Sequence, residues 1–178
     1  MMNAKLNFEF GDNELKKELV EFSLSNYFNE KYFQCNGPTK KRFFCQLSNF
    51  DLPFSEKIIQ TRTDFYNRVG IKNFEEENNY GIFLGLNLEG GFVVPHRDMN
   101  DLNRVHTRIN FLLSKPVKGG NIVINNKKIE LQENEGWINL ASKWLHGSTP
   151  VEGSKPRIVL SYGASVDKTI INSLNIHI

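Results

Sequence analysis

Cysteine is scarce in this chain of 178 residues, which contains only Cys35 and Cys45. Two cysteines are too few for a disulfide framework, and no Cys-x-x-Cys pair is present to hold a structural zinc ion. This scarcity favours a reducing compartment, so we expect a cytoplasmic protein.

Long apolar runs and a strong charge of one sign are also missing. No apolar stretch approaches the length that crosses a membrane, and the alternating residues 6–10 near the N-terminus are unlike a signal peptide. The 22 basic and 20 acidic residues give a formal net charge of +2, which is too small to indicate a nucleic-acid or membrane-surface partner. The sequence leaves the oligomeric state open.

The composition is that of a globular domain, with 39% apolar and 24% charged residues. A chain of this length can bury a substantial core. We predict a single domain over residues 1–178. Within it we expect a flank of helices and strands at 1–79, a β-rich core at 80–165, and a C-terminal tail at 166–178. The tail would pack on the core or add an edge strand.

The spacing of apolar residues in the flank predicts a strand at 6–10 and a helix at 13–28 that Asp12 or Asn13 caps. A second helix is expected to begin at Ser55 and to end near Gly70. Between them a turn at 36–39 is followed by the basic cluster Lys40-Lys41-Arg42, and residues 42–47 predict a strand. The cluster could be a solvated loop or could help to bind a substrate.

From residue 80 onwards the apolar pattern has the short period of β-strands. Turn residues separate eight candidate strands, at 81–88, 92–96, 105–113, 121–124, 127–131, 136–140, 145–151 and 157–164. Eight short strands without intervening helices are typical of a double-sheet jelly roll. We therefore predict a mainly β (α+β) fold, a double-stranded β-helix (jelly roll) with N-terminal flanking helices.

Three residues at predicted strand ends form a candidate metal site. His96 and Asp98 are separated by one residue, so their side chains point the same way on a strand. His146 lies on the seventh predicted strand, which neighbours the second in a jelly roll. Two histidines and one carboxylate on one face of a metal suit non-heme Fe(II) and oxygen chemistry. Each residue alone could instead be an ordinary hydrogen-bonded side chain, and their combination favours the metal site.

Arg157 opens the eighth predicted strand. An arginine on a strand beside such a metal is well placed to bind a carboxylate of a co-substrate through two parallel hydrogen bonds. A surface ion pair is the alternative, and such pairs contribute little.

The third predicted strand has one polar face, formed by Arg104, His106, Arg108 and Asn110. This face could be exposed to solvent on an outer strand. Alternatively it lines the barrel, where Arg108 or Asn110 would reach the co-substrate or the substrate. Tyr80 and Asn87 of the first predicted strand are candidates for the pocket lining or for a purely structural role.

The order His-x-Asp, distal histidine and arginine over residues 80–165 resembles the 2-oxoglutarate and Fe(II)-dependent dioxygenase superfamily. Residues 146–153 followed by Arg157, and the preceding Gly119-Gly120, are similar to prolyl hydroxylase-like members. The resemblance implies that His96, Asp98 and His146 hold Fe(II) and that Arg157 binds the distal carboxylate of 2-oxoglutarate. It also implies that 2-oxoglutarate is converted to succinate and CO₂ while a substrate is hydroxylated.

Two features depart from that resemblance. Many members carry a hydroxyl residue two positions after the arginine, where this chain has Val159. The segment Arg104-Val105-His106 resembles the Arg-x-His of aspartyl/asparaginyl β-hydroxylase-like members, so the subfamily stays open.

Two alternatives to the dioxygenase remain. A non-catalytic jelly-roll binding module has no need for His96, Asp98, His146 and Arg157 together. A cupin-like metalloprotein usually brings more histidines to its metal. The substrate, a small molecule or a peptidyl group, is not specified by the sequence.

Overall fold

The computed structural model describes residues 2–77, 80–99, 103–174 and 176–177. This part of the chain is mainly β with few helices. In chain order its elements are β1 (Met2–Asn3), β2 (Lys5–Glu9), α1 (Asn13–Asn26), β3 (Gln34–Asn36), β4 (Arg42–Gln46), a 3₁₀ turn (Leu47–Asn49), α2 (Ser55–Arg68), β5 (Glu75–Glu76), β6 (Ile82–Asn87), β7 (Arg104–Ser114), β8 (Lys118–Gly119), β9 (Ile122–Ile124), β10 (Lys127–Ile129), β11 (Glu135–Asn139), β12 (His146–Ser148), β13 (Val151–Glu152), β14 (Arg157–Asp167), α3 (Lys168–Leu174) and β15 (Ile176–His177).

A large antiparallel sheet organises the molecule. Its strand order is β2-β11-β7-β14-β6-β4-β3, and β5 adds to β14. The two long strands β7 and β14 pair along most of their length at its centre. Because side chains alternate along each strand, the sheet has two chemically different faces.

One face of this sheet is apolar and packs against α1 and α2. Leu84, Ile109 and Leu160 are fully buried on this face together with Phe65 of α2 and Leu15 of α1. The carboxylate of Asp12 accepts a hydrogen bond from the backbone N–H of Leu15 at 2.9 Å and caps α1. The two predicted helices are therefore confirmed as α1 and α2. They cover the sheet and leave its other face for the site.

A smaller sheet, with strand order β10-β9-β12, contains a hairpin formed by β9 and β10. Asn125 and Asn126 between β9 and β10 have φ angles of 46° and 65°, as a tight hairpin turn requires. An isolated antiparallel bridge joins His96 to His146 of β12. Residues 94–98 therefore lie beside residues 144–148, as predicted.

Two of the eight strand predictions need correction. In 92–96 only His96 forms a ladder bridge, because Pro95 has no N–H to donate. Gly147 still allows this segment to approach β12 closely, since an added Cβ would lie 2.7 Å from the carbonyl oxygen of Val93. The predicted strand 145–151 is split into β12 and β13, and Pro150 lies in the break.

In the tail, β14 continues to Asp167 and is followed by α3, after which β15 pairs with β1 in parallel. The Asp167 carboxylate accepts a 2.7 Å hydrogen bond from the backbone N–H of Thr169, which favours the start of a helix. Ile171 of α3 is buried.

None of the described helices is long and apolar enough to span a membrane. Cys35 is exposed, Cys45 is buried, and both are free thiols. The cytoplasmic localisation stays a prediction.

Candidate metal centre

His96 and His146 face each other across the bridge between the 92–96 segment and β12. The backbone N–H of His96 donates to the carbonyl of His146 at 3.0 Å, and the reverse bond is 2.9 Å. Their imidazole rings are 4.4 Å apart between centroids. The main chain therefore places the two side chains together, independently of any interaction between the rings.

Each imidazole is oriented by its own backbone. His96 Nδ1 lies 2.7 Å from the carbonyl oxygen of Val94, and His146 Nδ1 lies 3.0 Å from that of Trp144. A carbonyl can only accept, so each Nδ1 carries the proton. Each Nε2 of a neutral ring is then left as a lone-pair donor, the usual arrangement of a metal-binding histidine.

Asp98 completes the group. Its Oδ1 lies 3.2 Å from His96 Nε2 and 3.8 Å from His146 Nε2. One potential ligand atom from each of His96, Asp98 and His146 falls within 4.8 Å of the others. The backbone N–H of Asp98 donates to the carbonyl of Ala141 at 2.9 Å, which fixes the residue to the loop after β11.

The second oxygen of Asp98 faces His106 and Arg108 of β7. Oδ2 lies 3.0 Å from His106 Nδ1 and 3.8 Å from Arg108 Nε. Burial acts to raise the pKa of Asp98, but the interactions with His106 and His96 outweigh it and hold the pKa well below its usual range. Asp98 is therefore an ionised carboxylate with one oxygen supported and the other directed at the histidines.

The pKa values of the two histidines are shifted in opposite directions. Burial lowers the pKa of His146 below its usual value. The hydrogen bond with Asp98 raises the pKa of His96. The neutral, metal-binding form is therefore favoured more strongly at His146.

A cavity of about 390 Å³ opens beside the three residues, over the second face of the large sheet. Its walls come from both sheets and from the flank. Among the lining residues are Arg42, Tyr80, Asn87, Arg108, Asn110, Ile122, Trp137, Asn139, Arg157 and Val159, together with His96, Asp98 and His146. This volume suits a small organic ligand.

Arg157 enters the cavity from the first position of β14. Its side chain is 5% exposed and its Nε is buried without a hydrogen-bond partner. The guanidinium carbon is 5.9 Å from the Trp137 ring centroid, and no carboxylate of the described residues comes within ion-pair distance. Burial lowers the pKa of Arg157 to about 10. The surface ion-pair interpretation is wrong, since this cation is buried and unpaired.

The polar face of β7 is also buried. His106, Arg108 and Asn110 are 5–7% exposed, so the solvent-facing interpretation is wrong for these three. Arg108 already donates to Glu77 Oε2 at 2.9 Å and to Ser161 Oγ at 3.2 Å. Asn110 Nδ2 lies 3.3 Å from the Arg108 carbonyl and 3.4 Å from that of Trp137. Arg108, Asn110 and Arg157 all line the cavity. The donor groups of Arg108 and Asn110 already have hydrogen-bond partners within the protein, whereas Arg157 Nε has none.

The sequence analysis did not identify Glu77 as a residue of the site, and it identified Arg42 only as part of a basic cluster. Glu77 is buried and accepts hydrogen bonds from Arg108 and from the backbone N–H groups of Tyr80 and Gly81. In the sequence it is one of three consecutive glutamates, which carry no sign of burial. In the sequence Arg42 is one of three consecutive basic residues. Unlike the two lysines before it, Arg42 lies on β4 and lines the cavity.

No family profile matches the sequence, and no curated protein matches it. Among solved structures, a prolyl hydroxylase from Trichoplax adhaerens, in complex with a hypoxia inducible factor oxygen degradation domain peptide fragment, is similar with a TM-score of 0.65. It is 12% identical over 95% of this chain and 85% of its own.

Two further structures are similar. A viral collagen prolyl hydroxylase from Paramecium Bursaria Chlorella virus-1, in a 2OG complex, has a TM-score of 0.59 and 14% identity over 93% of this chain and 97% of its own. An oxidoreductase of the 2OG-Fe(II) oxygenase family from Burkholderia pseudomallei has a TM-score of 0.58 and 13% identity over 87% and 79%. At these identities the likeness shows a common fold, which this chain shares with prolyl hydroxylase and 2OG-Fe(II) oxygenase structures.

Proposed function

We propose that this protein is an Fe(II)- and 2-oxoglutarate-dependent dioxygenase that hydroxylates a small-molecule or peptidyl substrate. One observation carries the proposal. Two histidines and a carboxylate converge within 4.8 Å in a cavity that also contains the buried, unpaired Arg157. The common fold with oxygenase structures supports it.

The strand order supports a double-stranded β-helix as the finer description of the fold. Four antiparallel strands, β6-β14-β7-β11, lie side by side in the large sheet, and β12-β9-β10 form the facing one. The 92–96 segment extends the facing sheet through its bridge to β12. The candidate ligands then lie on the two neighbouring segments of the smaller sheet.

The three residues fit an Fe(II) ion by the chemistry of their donors. Both histidines have Nδ1 bonded to a carbonyl and Nε2 available, and the carboxylate is ionised. When bound, the iron would supply the oxygen-activating redox chemistry. The protein contributes the orientation of the ligands and a cavity of about 390 Å³ beside them.

Arg157 is the residue that we assign to the distal carboxylate of 2-oxoglutarate. A buried guanidinium without an acidic partner is costly unless a ligand supplies one. Its planar donors match a carboxylate in bidentate geometry. Arg108 and Asn110 lie in the same cavity, where we expect them to shape the co-substrate pocket and to support Asp98.

His106, from the segment that resembles the Arg-x-His of aspartyl/asparaginyl β-hydroxylase-like members, has its Nδ1 3.0 Å from Asp98 Oδ2. This contact assigns the chain to neither of the two subfamilies. The similar Trichoplax enzyme is bound to a peptide fragment, which keeps a peptidyl substrate open for this chain.

The two other functions fit the site less well. A binding module gives no reason for the Nε2 atoms of His96 and His146 and the carboxylate of Asp98 to converge. A cupin-like metalloprotein gives no reason for Arg157 to be buried without a partner.

The test is oxygen-dependent formation of succinate from 2-oxoglutarate by purified, Fe(II)-loaded protein, alone and with a panel of candidate substrates. We expect slow succinate formation alone and faster formation with a substrate. The His146→Ala variant should form none. Succinate formation that is equal in wild type and His146→Ala would refute the assignment.

A further inference from the structure

A row of four polar residues runs across one end of the large sheet. Asn36 of β3 pairs with Arg42 of β4, Arg42 pairs with Asn87 of β6, and Asn87 pairs with Arg157 of β14. Directly paired residues present their side chains on the same face. All four line the cavity described above.

The row is rich in hydrogen-bond donors and contains no acid. Asn87 Nδ2 and Arg157 Nε are buried without hydrogen-bond partners. Among the residues that the structure describes, none forms an ion pair or a side-chain hydrogen bond with Arg42. A row of this kind is suited to anionic groups.

Arg42 differs from Arg157 in position. It is contributed by the flank, is only partly buried, and lies along Gly37, whose added Cβ would be 3.7 Å from Arg42 Cβ. Burial lowers the pKa of Arg42, and the charge of Asp98 partly offsets this. Arg42 therefore lies within the electrostatic reach of the candidate metal centre but closer to solvent than Arg157.

The two arginines are separated by one intervening strand. Two strand spacings place their backbones about 10 Å apart, and the charge of Arg42 contributes to the lowered pKa of Arg157. One carboxylate carries a single negative charge and so can neutralise only one of the two guanidinium groups. If the distal carboxylate of 2-oxoglutarate occupies Arg157, the charge of Arg42 remains without a partner.

We propose that Arg42 is an anion-binding subsite that takes an acidic group, a carboxylate or a phosphate, of the substrate. The inference rests on the proposed function, because Arg157 is reserved for the co-substrate. It narrows the substrate class to acidic small molecules or acidic side chains. The aromatic lining residues Phe44 and Tyr80 give the neighbouring wall an apolar character suited to the rest of such a substrate.

The experiment uses full-length protein loaded with Zn(II) in place of Fe(II) and saturated with 2-oxoglutarate. Acetate and methylphosphonate are the anionic probes, and acetamide is the uncharged control. Each is titrated while the arginine Nε–H signals and the backbone amide signals are followed by NMR, so that the affinity can also be measured in variants that lack the Arg42 signal. Arg42→Gln and Arg42→Lys remove or change the proposed group, and Lys41→Gln removes the same charge from the exposed neighbour.

We expect at least one anion to shift the Arg42 signal in wild type and Lys41→Gln, and acetamide to leave it unchanged. A charge-assisted hydrogen bond contributes about 1.5–3 kcal/mol, so Arg42→Gln should lower the affinity for the anion about tenfold or more. Arg42→Lys should retain part of the affinity and keeps the test valid if Arg42→Gln does not fold. The tighter of the two anions identifies a carboxylate or a phosphate as the natural group.

Equal anion affinity in wild type and in the Arg42 variants would overturn the proposal. So would the failure of both anions to shift the Arg42 signal. These outcomes are separate from failure of the proposed function, which would appear earlier as failure of wild-type protein to bind Zn(II) or 2-oxoglutarate.

Discussion

His96 and His146 exchange both backbone hydrogen bonds across a two-residue bridge, at 3.0 and 2.9 Å, and each ring is turned by a bond from Nδ1 to a nearby carbonyl. The main chain therefore prepares two of the three candidate ligands before any metal binds. Because the bridge itself is formed by backbone atoms alone, it should persist when either imidazole is removed.

The first prediction is that His146→Ala loses stoichiometric binding of Fe(II) or Mn(II) while the protein stays folded. Elemental analysis measures the metal content, and thermal unfolding verifies the fold. His177→Ala is the matched control because it removes a histidine from the C-terminal strand β15, away in sequence from the three candidate ligands. Full metal content in His146→Ala would contradict the ligand assignment.

The second prediction concerns Arg157. Arg157→Ala should keep its metal and bind 2-oxoglutarate about tenfold to a hundredfold more weakly, since a charge-assisted hydrogen bond is worth about 1.5–3 kcal/mol. Arg157→Lys should recover only part of the loss because an ammonium lacks two parallel donors. Calorimetric titration with Mn(II)-loaded protein measures the affinities. The exposed Arg68 of α2 supplies the control variant Arg68→Ala, which should bind like wild type.

The third prediction is that Glu77→Gln destabilises the fold by up to about 3–5 kcal/mol, because it removes the nearer of the two carboxylates beside the buried guanidinium of Arg108 and leaves only Asp98, at 3.8 Å. Glu75→Gln is the control. Its ion pair with Arg104 is 2.8 Å long, but the Glu75 side chain is 71% exposed, so the change should be less than about 1 kcal/mol. Urea unfolding measures both, and similar values for the two variants would count against the buried pair.

The fourth prediction is a loss of stability in acid. Partial burial acts to raise the pKa of Glu133, but hydrogen bonds from Lys155 and from the Lys115 backbone N–H outweigh it and hold the pKa at about 2. A carboxyl with a lowered pKa stabilises the fold above its unfolded pKa of 4.5 and loses that effect as the pH falls towards 2. The stability difference between wild type and Glu133→Gln should therefore shrink over this range in unfolding experiments. A difference that stays constant with pH would exclude this role.

Much of the fold was accessible from the sequence because it depends on local patterns. Alternating residues predicted β7 and β14, and Asp12 marked the start of α1. The 92–96 segment was mistaken for a strand because its composition is β-like, while Pro95 limits its pairing to a single bridge. Helix α3 in the tail was not predicted, because Ile170, Ile171 and Leu174 suit a strand or a helix equally.

The candidate ligands were accessible because His96 and Asp98 have the spacing of a shared strand face. The roles of Glu77 and of the row through Arg42 could not be predicted from the sequence, since they depend on strand register across the sheet. The pairing of Arg42 and Arg157 with the same residue, Asn87, brings together parts of the chain that are far apart in sequence.

The most direct test of the dioxygenase assignment is an anaerobic titration of 2-oxoglutarate into Fe(II)-loaded protein, followed by the metal-to-ligand absorption band. The account predicts that the band appears and saturates at one 2-oxoglutarate per chain, and that it is absent in His146→Ala. Fe(II)-loaded wild-type protein that develops no band at saturating 2-oxoglutarate would contradict it.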